Sequence, residues 1–109
     1  MTIDPVEQLA VGLVRLPGGT ARGDRTWARA LVVRHARDAR LQLVDILELD
    51  DDPSRSRAVL SRLGDLAAVW RATVLLTDGV EPRVARMLAL DLGLEHQAVS
   101  APRPPSWVE

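Results

Sequence analysis

Short, nearly continuous apolar runs alternate along this chain with longer stretches in which apolar positions recur every three or four residues. Runs of the first kind suit strands covered on both faces, and stretches of the second kind suit amphipathic helices. Leu9 to Leu16 (LAVGLVRL) has no clean period of two and predicts a buried strand. From Asp24 to Arg40 the pattern turns helical. Trp27, Ala28, Leu31, Val32 and Ala39 gather on one side, with Arg25, Arg29, Arg37 and Arg40 on the other. Asp24 is the expected N-cap, because its short carboxylate can accept from free amides of the first turn. Leu41 to Leu49 (LQLVDILEL) predicts a second strand. Asp52 and Pro53 then mark a helix start, an acid to cap and a proline that has no amide to satisfy. That helix carries Val59, Leu63, Leu66 and Trp70 in one stripe, joined by Leu60 and Ala67. Gly64 inside it is tolerable where a neighbour packs closely.

Ala72 to Thr77 predicts a third strand, closed by the turn pair Asp78 and Gly79. Pro82 to Leu92 predicts a third helix with Val84, Leu88 and Leu92 inward and Gly93 as its stop. Leu94 to Ser100 is a weaker fourth strand, and residues 101–109 (APRPPSWVE) form a Pro-rich tail. Strict alternation of strand and helix implies a parallel sheet with right-handed crossovers and helices on its faces. The expectation is a small three-layer α/β domain with a mostly parallel four-stranded sheet in β-α-β-α-β-α-β order, resolvase-like or flavodoxin-like. It occupies residues 9–100, after a polar leader at residues 1–8. Trp27 and Trp70, at helix positions turned toward the sheet, are expected in the core.

Composition narrows the chemistry. The chain has 109 residues, enough for one core. All 14 of its basic side chains are Arg, against 15 acids. A net charge of −1 offers no overall electrostatic capture of nucleic acid or anionic membrane. With no cysteine, disulfides, thiolate nucleophiles and Cys-ligated metals are excluded. No segment reaches the roughly 18 consecutive apolar residues of a membrane span, and a cytoplasmic location is expected.

In an open α/β sheet, the loop after the first strand is the natural place for a site. Here it is Pro17 to Asp24, PGGTARGD. Gly18 and Gly23 have the glycine spacing of a phosphate-cradling loop, but Asp24 and Arg25 stand where that loop needs Lys and a hydroxyl. The adjacent Gly18 and Gly19 also break a dinucleotide fingerprint. Either this is a turn into the first helix, or Arg15, Gly18, Gly19 and Arg22 hold a small anion or nucleotide.

The run Gly12-Leu13-Val14-Arg15-Leu16 resembles the first-strand motif Gly-Tyr-Ala-Arg-Val-Ser of the serine recombinases, the resolvase and invertase family. The likeness continues in order through a helix from Trp27, a strand ending in acids and a helix with Ala58-Val59-Leu60. It ends with the strand Thr73-Val74-Leu75-Leu76 and a helix closing at Leu92-Gly93-Leu94. It implies a catalytic domain in which a Ser after the first strand attacks a DNA phosphodiester while arginines stabilise the phosphate charge. Arg15 matches the first such arginine. Pro17 stands in the place of the nucleophile, with Thr20 three residues on, and Arg83 and Arg86 are loose substitutes for the second arginine cluster. The implied protein is a relative without the family's catalysis, acting as an interaction or regulatory module.

Other groups have plainer readings beside their functional ones. Asp45, Glu48, Asp50, Asp51 and Asp52 have the donor chemistry of a magnesium site, or of helix capping and an acidic turn. No metal and no cofactor is expected. His35 and His96 have no acidic or hydroxyl partner at a recognisable spacing. Arg25 and Arg29 belong to a basic stripe able to meet phosphates or an acidic partner, or simply solvent. Trp107 lies in the Pro-rich tail, a docking motif or a packed end. The partner expected first is a second copy of the chain or another protein, with nucleic acid less favoured and membrane excluded.

Overall fold

The computed structural model describes residues 8–16 and 22–99. Seven elements follow in order: β1 (Gln8–Arg15), α1 (Arg22–Asp38), β2 (Leu41–Leu49), α2 (Pro53–Trp70), β3 (Val74–Asp78), α3 (Pro82–Leu92) and β4 (Glu95–Ala98). The strands form one sheet, ordered β2-β1-β3-β4, and every neighbouring pair is parallel. It is the three-layer α/β domain expected from the sequence. The loop at residues 17–21 and the tail at residues 100–109 lie outside the described residues.

The order of strands dictates which helix covers which face. The chain steps from β1 to β2 on one side, then crosses back past β1 to β3 and on to β4. Right-handed crossovers taken in opposite directions place their helices on opposite faces. Accordingly α1 covers one face alone, with Ala28, Val32 and Ala36 packed on Ala10, Val14, Ile46, Val74 and Leu76. On the other face, Leu63 and Ala67 of α2 and Ala89 of α3 pack on Val11, Leu13, Leu47 and Leu75. Both faces of β1 are thereby buried, which is why its sequence shows no alternation.

β2 lacks alternation for a second reason. Ala10 pairs with Leu43 and Val11 with Asp45, so Val44 is an extra residue in the ladder. This bulge shifts the side-chain phase. Leu41 and Leu43 pack toward α1 before it, and after it Ile46 keeps that face.

Local signals place the ends. Asp52 caps α2 as expected, its side chain accepting from the amides of Ser54 and Arg55, with Pro53 at the first helical position. Gly93 ends α3 in the left-handed region at φ 69. Gly64 faces α3, where a Cβ would lie 3.4 Å from Leu92 Cδ2, so the two helices pack side by side there.

Several expectations are corrected. Asp24 is not the cap of α1, because the helix already begins at Arg22, and Asp24 sits in its first turn. Trp27 and Trp70 are not core residues but 51% and 53% exposed. Trp70 closes α2, and Trp27 lies about 100° round α1 from the stripe of Ala28, Val32 and Ala36, so the buried positions of those helices are the small or branched Ala28, Val32, Ala36, Leu63 and Ala67. Ala39 is exposed beyond the end of α1. Val84 is 42% exposed, and Ala85 and Ala89 are the buried positions of α3. The fourth strand is only Glu95–Ala98.

Candidate functional site

The carboxyl ends of β1 and β2 form the candidate site. β1 delivers Arg15 and Leu16 there, and β2 delivers Glu48 and Leu49, held level by a bond from the Leu16 amide to the Leu49 carbonyl at 2.8 Å. A depression of about 420 Å³ opens at this edge, lined by Leu16, Arg25, Glu48, Asp50, Arg55 and Val59 among others. Its guanidinium groups come from α1 and α2.

The candidate arginines do not converge on one point. Arg25 and Arg29 approach Glu48, with Arg25 Nε 3.4 Å from Oε1 and Arg29 Nη1 3.9 Å from Oε2. Arg29 also donates to the Ile46 carbonyl at 3.5 Å. Arg15 is paired across the strands with Leu49, one residue beyond Glu48, so it projects toward the opposite face. There its guanidinium meets Asp51 at 3.2 Å. Arg55 is held by Asp50 at 3.3 Å and by Asp52 at 3.7 Å. Each described arginine at this edge therefore faces a carboxylate of the β2–α2 segment. An incoming phosphate would compete with a carboxylate already in place, and Glu48 and Asp50 are half-buried in holding theirs. Arg22 begins α1, while Gly18 and Gly19 lie outside the described residues.

The same geometry accounts for the acids. Asp50 accepts from the Asp52 amide at 2.8 Å, Asp52 caps α2, and Asp45 accepts from the Ile46 amide at 2.7 Å and pairs with Arg62. Among the described residues, no group of three or more His, Cys, Asp or Glu side chains is arranged to hold a metal ion. Ser54, a hydroxyl near this edge, sits in the capped first turn of α2, where its amide donates to Asp52.

Set against known protein families, curated proteins and solved structures, the chain matches none.

One arrangement was not legible in the sequence. His96 Nε2 lies 2.8 Å from Thr77 Oγ1, and His35 Nε2 lies 3.0 Å from Gln97 Oε1. His96 therefore does have a hydroxyl partner, contrary to expectation, and only the register of β3 on β4 reveals it. A hydroxyl beside an imidazole is the geometry of a nucleophile and its base. Thr77 is only 3% exposed, out of a substrate's reach, so the contact satisfies a buried hydroxyl.

A second feature the sequence reading passed over is on α3. Val84, Met87 and Leu90 are 42%, 65% and 82% exposed. Their spacing of three aligns them along the outer side of the helix. The signal was present: α3 carries more apolar positions than one buried face can absorb. Among the described residues, no helix is long and apolar enough to cross a membrane.

Proposed function

We propose that this chain is a protein-interaction module, a resolvase-like α/β domain that lacks catalysis and binds through the outer face of α3. The observation that carries this reading is the exposed row Val84, Met87 and Leu90. Single exposed apolar residues are ordinary, but a contiguous row of large ones costs solubility and marks a surface that a partner covers. The carboxyl edge of the sheet supports the same reading from the other side, because Arg15, Arg25 and Arg29 are already matched by Asp51 and Glu48. Pro17, in the position of the family's nucleophile, has no hydroxyl with which to attack a phosphodiester. The module is proposed to act in the cytoplasm, and regulation of whatever it binds is the role that follows.

The test is a double variant, Met87→Glu with Leu90→Glu, compared with wild type by light scattering after size exclusion and by retention of partners from the native host. Both side chains are exposed, so far-UV circular dichroism should show the fold unchanged. The wild type is expected in a complex, with itself or another chain, that the variant does not form. A wild type that is monomeric and retains no partner overturns the proposal.

A further inference from the structure

We infer that Asp45, aided by Arg29, shuts the free edge of β2 against strand addition by a second copy of this chain. The inference stands independently of the α3 reading, because α3 packs on β3 and β4. β2 and β4 are the two edges of the sheet. An edge strand presents unpaired amides and carbonyls to any other chain, and shortness is its simplest protection. β4 has only four residues, whereas β2 has nine. The run Leu41 to Leu47 (LQLVDIL) is mostly apolar, with Asp45 its single charge. A stretch of that composition on an open edge is where copies of one chain stack.

The backbone shows how this edge is shut. Successive residues of a strand turn their amide and carbonyl to opposite sides. The Leu49 carbonyl points to β1, where it accepts from the Leu16 amide at 2.8 Å, so Glu48 and Ile46 turn theirs outward. Ile46 and Glu48 stand opposite Gly12 and Val14. By the same register Leu41 and Leu43, opposite Gln8 and Ala10, also turn outward. The outward residues are therefore two apart, then three across the Val44 bulge, then two again. A straight incoming strand needs a spacing of two throughout, so it engages Leu41 and Leu43 or Ile46 and Glu48, never all of them. The second pair is occupied at Ile46. Its amide donates to Asp45 Oδ1 at 2.7 Å, and Arg29 Nη1 of α1 donates to its carbonyl at 3.5 Å. Arg62 of α2 lies 3.8 Å from the other oxygen of Asp45 and holds the carboxylate in place. Arg29 is itself steadied by Glu48 at 3.9 Å. The length left open, Leu41 and Leu43, is too short to hold an added strand.

The experiment uses the Met87→Glu, Leu90→Glu chain as parent, so that association through α3 does not interfere. Asp45→Ala frees the Ile46 amide, whereas Asp45→Asn keeps an acceptor oxygen and loses only the charge. In sedimentation equilibrium, Asp45→Ala should associate about tenfold or more tightly than the parent, since each copy gains at least one hydrogen bond on pairing. Asp45→Asn should match the parent. Hydrogen exchange should show residues 41–49 gaining protection as the concentration of Asp45→Ala rises. The Asp45 side chain is 38% exposed, and circular dichroism checks that its variants are folded. Where Asp45→Ala does not fold, Arg29→Ala, which frees the Ile46 carbonyl, decides by the same two readings. An Asp45→Ala chain that stays as dispersed as its parent to about 1 mM overturns the inference. So does association in which residues 41–49 gain no protection. Association of Asp45→Asn as strong as that of Asp45→Ala overturns it too, because the guard would then be the charge and not the capped amide. None of these results bears on the α3 reading, which is decided by the wild type against the parent.

Discussion

Replacing Gly79 by alanine tests whether the carboxyl edge of the sheet is held by a backbone contact that no side chain can enter. Gly79 follows β3 at φ 75, and a Cβ built on it would lie 2.9 Å from the carbonyl oxygen of Arg15 and 3.7 Å from Arg15 Cβ. Two costs add. The left-handed conformation penalises any side chain by about 1–2 kcal/mol. The contact with Arg15 adds about 1–3 kcal/mol, the range for overpacking a well-filled site, because the obstructing atom is backbone and cannot turn aside. Gly93 isolates the first cost, since it has φ 69 but nothing within 4 Å of its Cβ position. Gly93→Ala should therefore lose about 1–2 kcal/mol and Gly79→Ala about 2–5 kcal/mol. At about 5 °C per kcal/mol for a domain of this size, the Gly79 variant should melt about 10–25 °C lower and the Gly93 variant about 5–10 °C lower. Urea titrations followed by far-UV circular dichroism give the comparison directly, with an unchanged denaturant slope confirming that the unfolded state is the same. Equal losses in the two variants would refute the reasoning, because they would mean that the turn moves off Arg15 at no cost.

The remaining predictions concern the cap and the arginine edge. Asp52→Ala should cost about 1 kcal/mol in the same titration, because the amides of Ser54 and Arg55 lose their acceptor at the exposed start of α2, and Asp52→Asn should recover most of it. Millimolar inorganic phosphate should leave the melting temperature of the wild type unchanged and raise that of Glu48→Gln, in which Arg25 and Arg29 lose their carboxylate partner. A wild type stabilised by phosphate as strongly as that variant would show that Glu48 does not occupy those guanidinium groups.

Much of the fold was legible because its signals are local. The bounds of β2 and α3, the Asp52-Pro53 start of α2 and the Gly93 stop are read from adjacent residues, and the backbone needs nothing distant to obey them. Parallel order follows as well, since a strand, a helix and a strand in succession leave few other arrangements. The candidate site was legible only as a list of residues. Arg15, Arg25 and Arg29 look like one cationic cluster in the sequence, yet Arg15 turns to one face of the sheet and the other two flank the opposite one. Side-chain direction alternates along a strand, so one step between the partners of Glu48 and Leu49 separates them.

What the amino-acid order determined by itself is therefore the succession of elements, their caps and the apolar character of both faces of β1. What only the tertiary structure decided is which side chains end up covered and which charges meet. Trp27, Trp70 and Val84 have the chemistry of core residues but stay exposed, because the smaller Ala28, Ala67 and Ala85 are the positions that their helices turn onto the sheet. The Val44 bulge reassigns faces within β2, and the β3–β4 register brings Thr77 to His96 across a gap of 19 residues. Periodicity speaks of neighbours along one chain segment, whereas exposure and ion pairing depend on how far apart segments lie once the crossovers have stacked them.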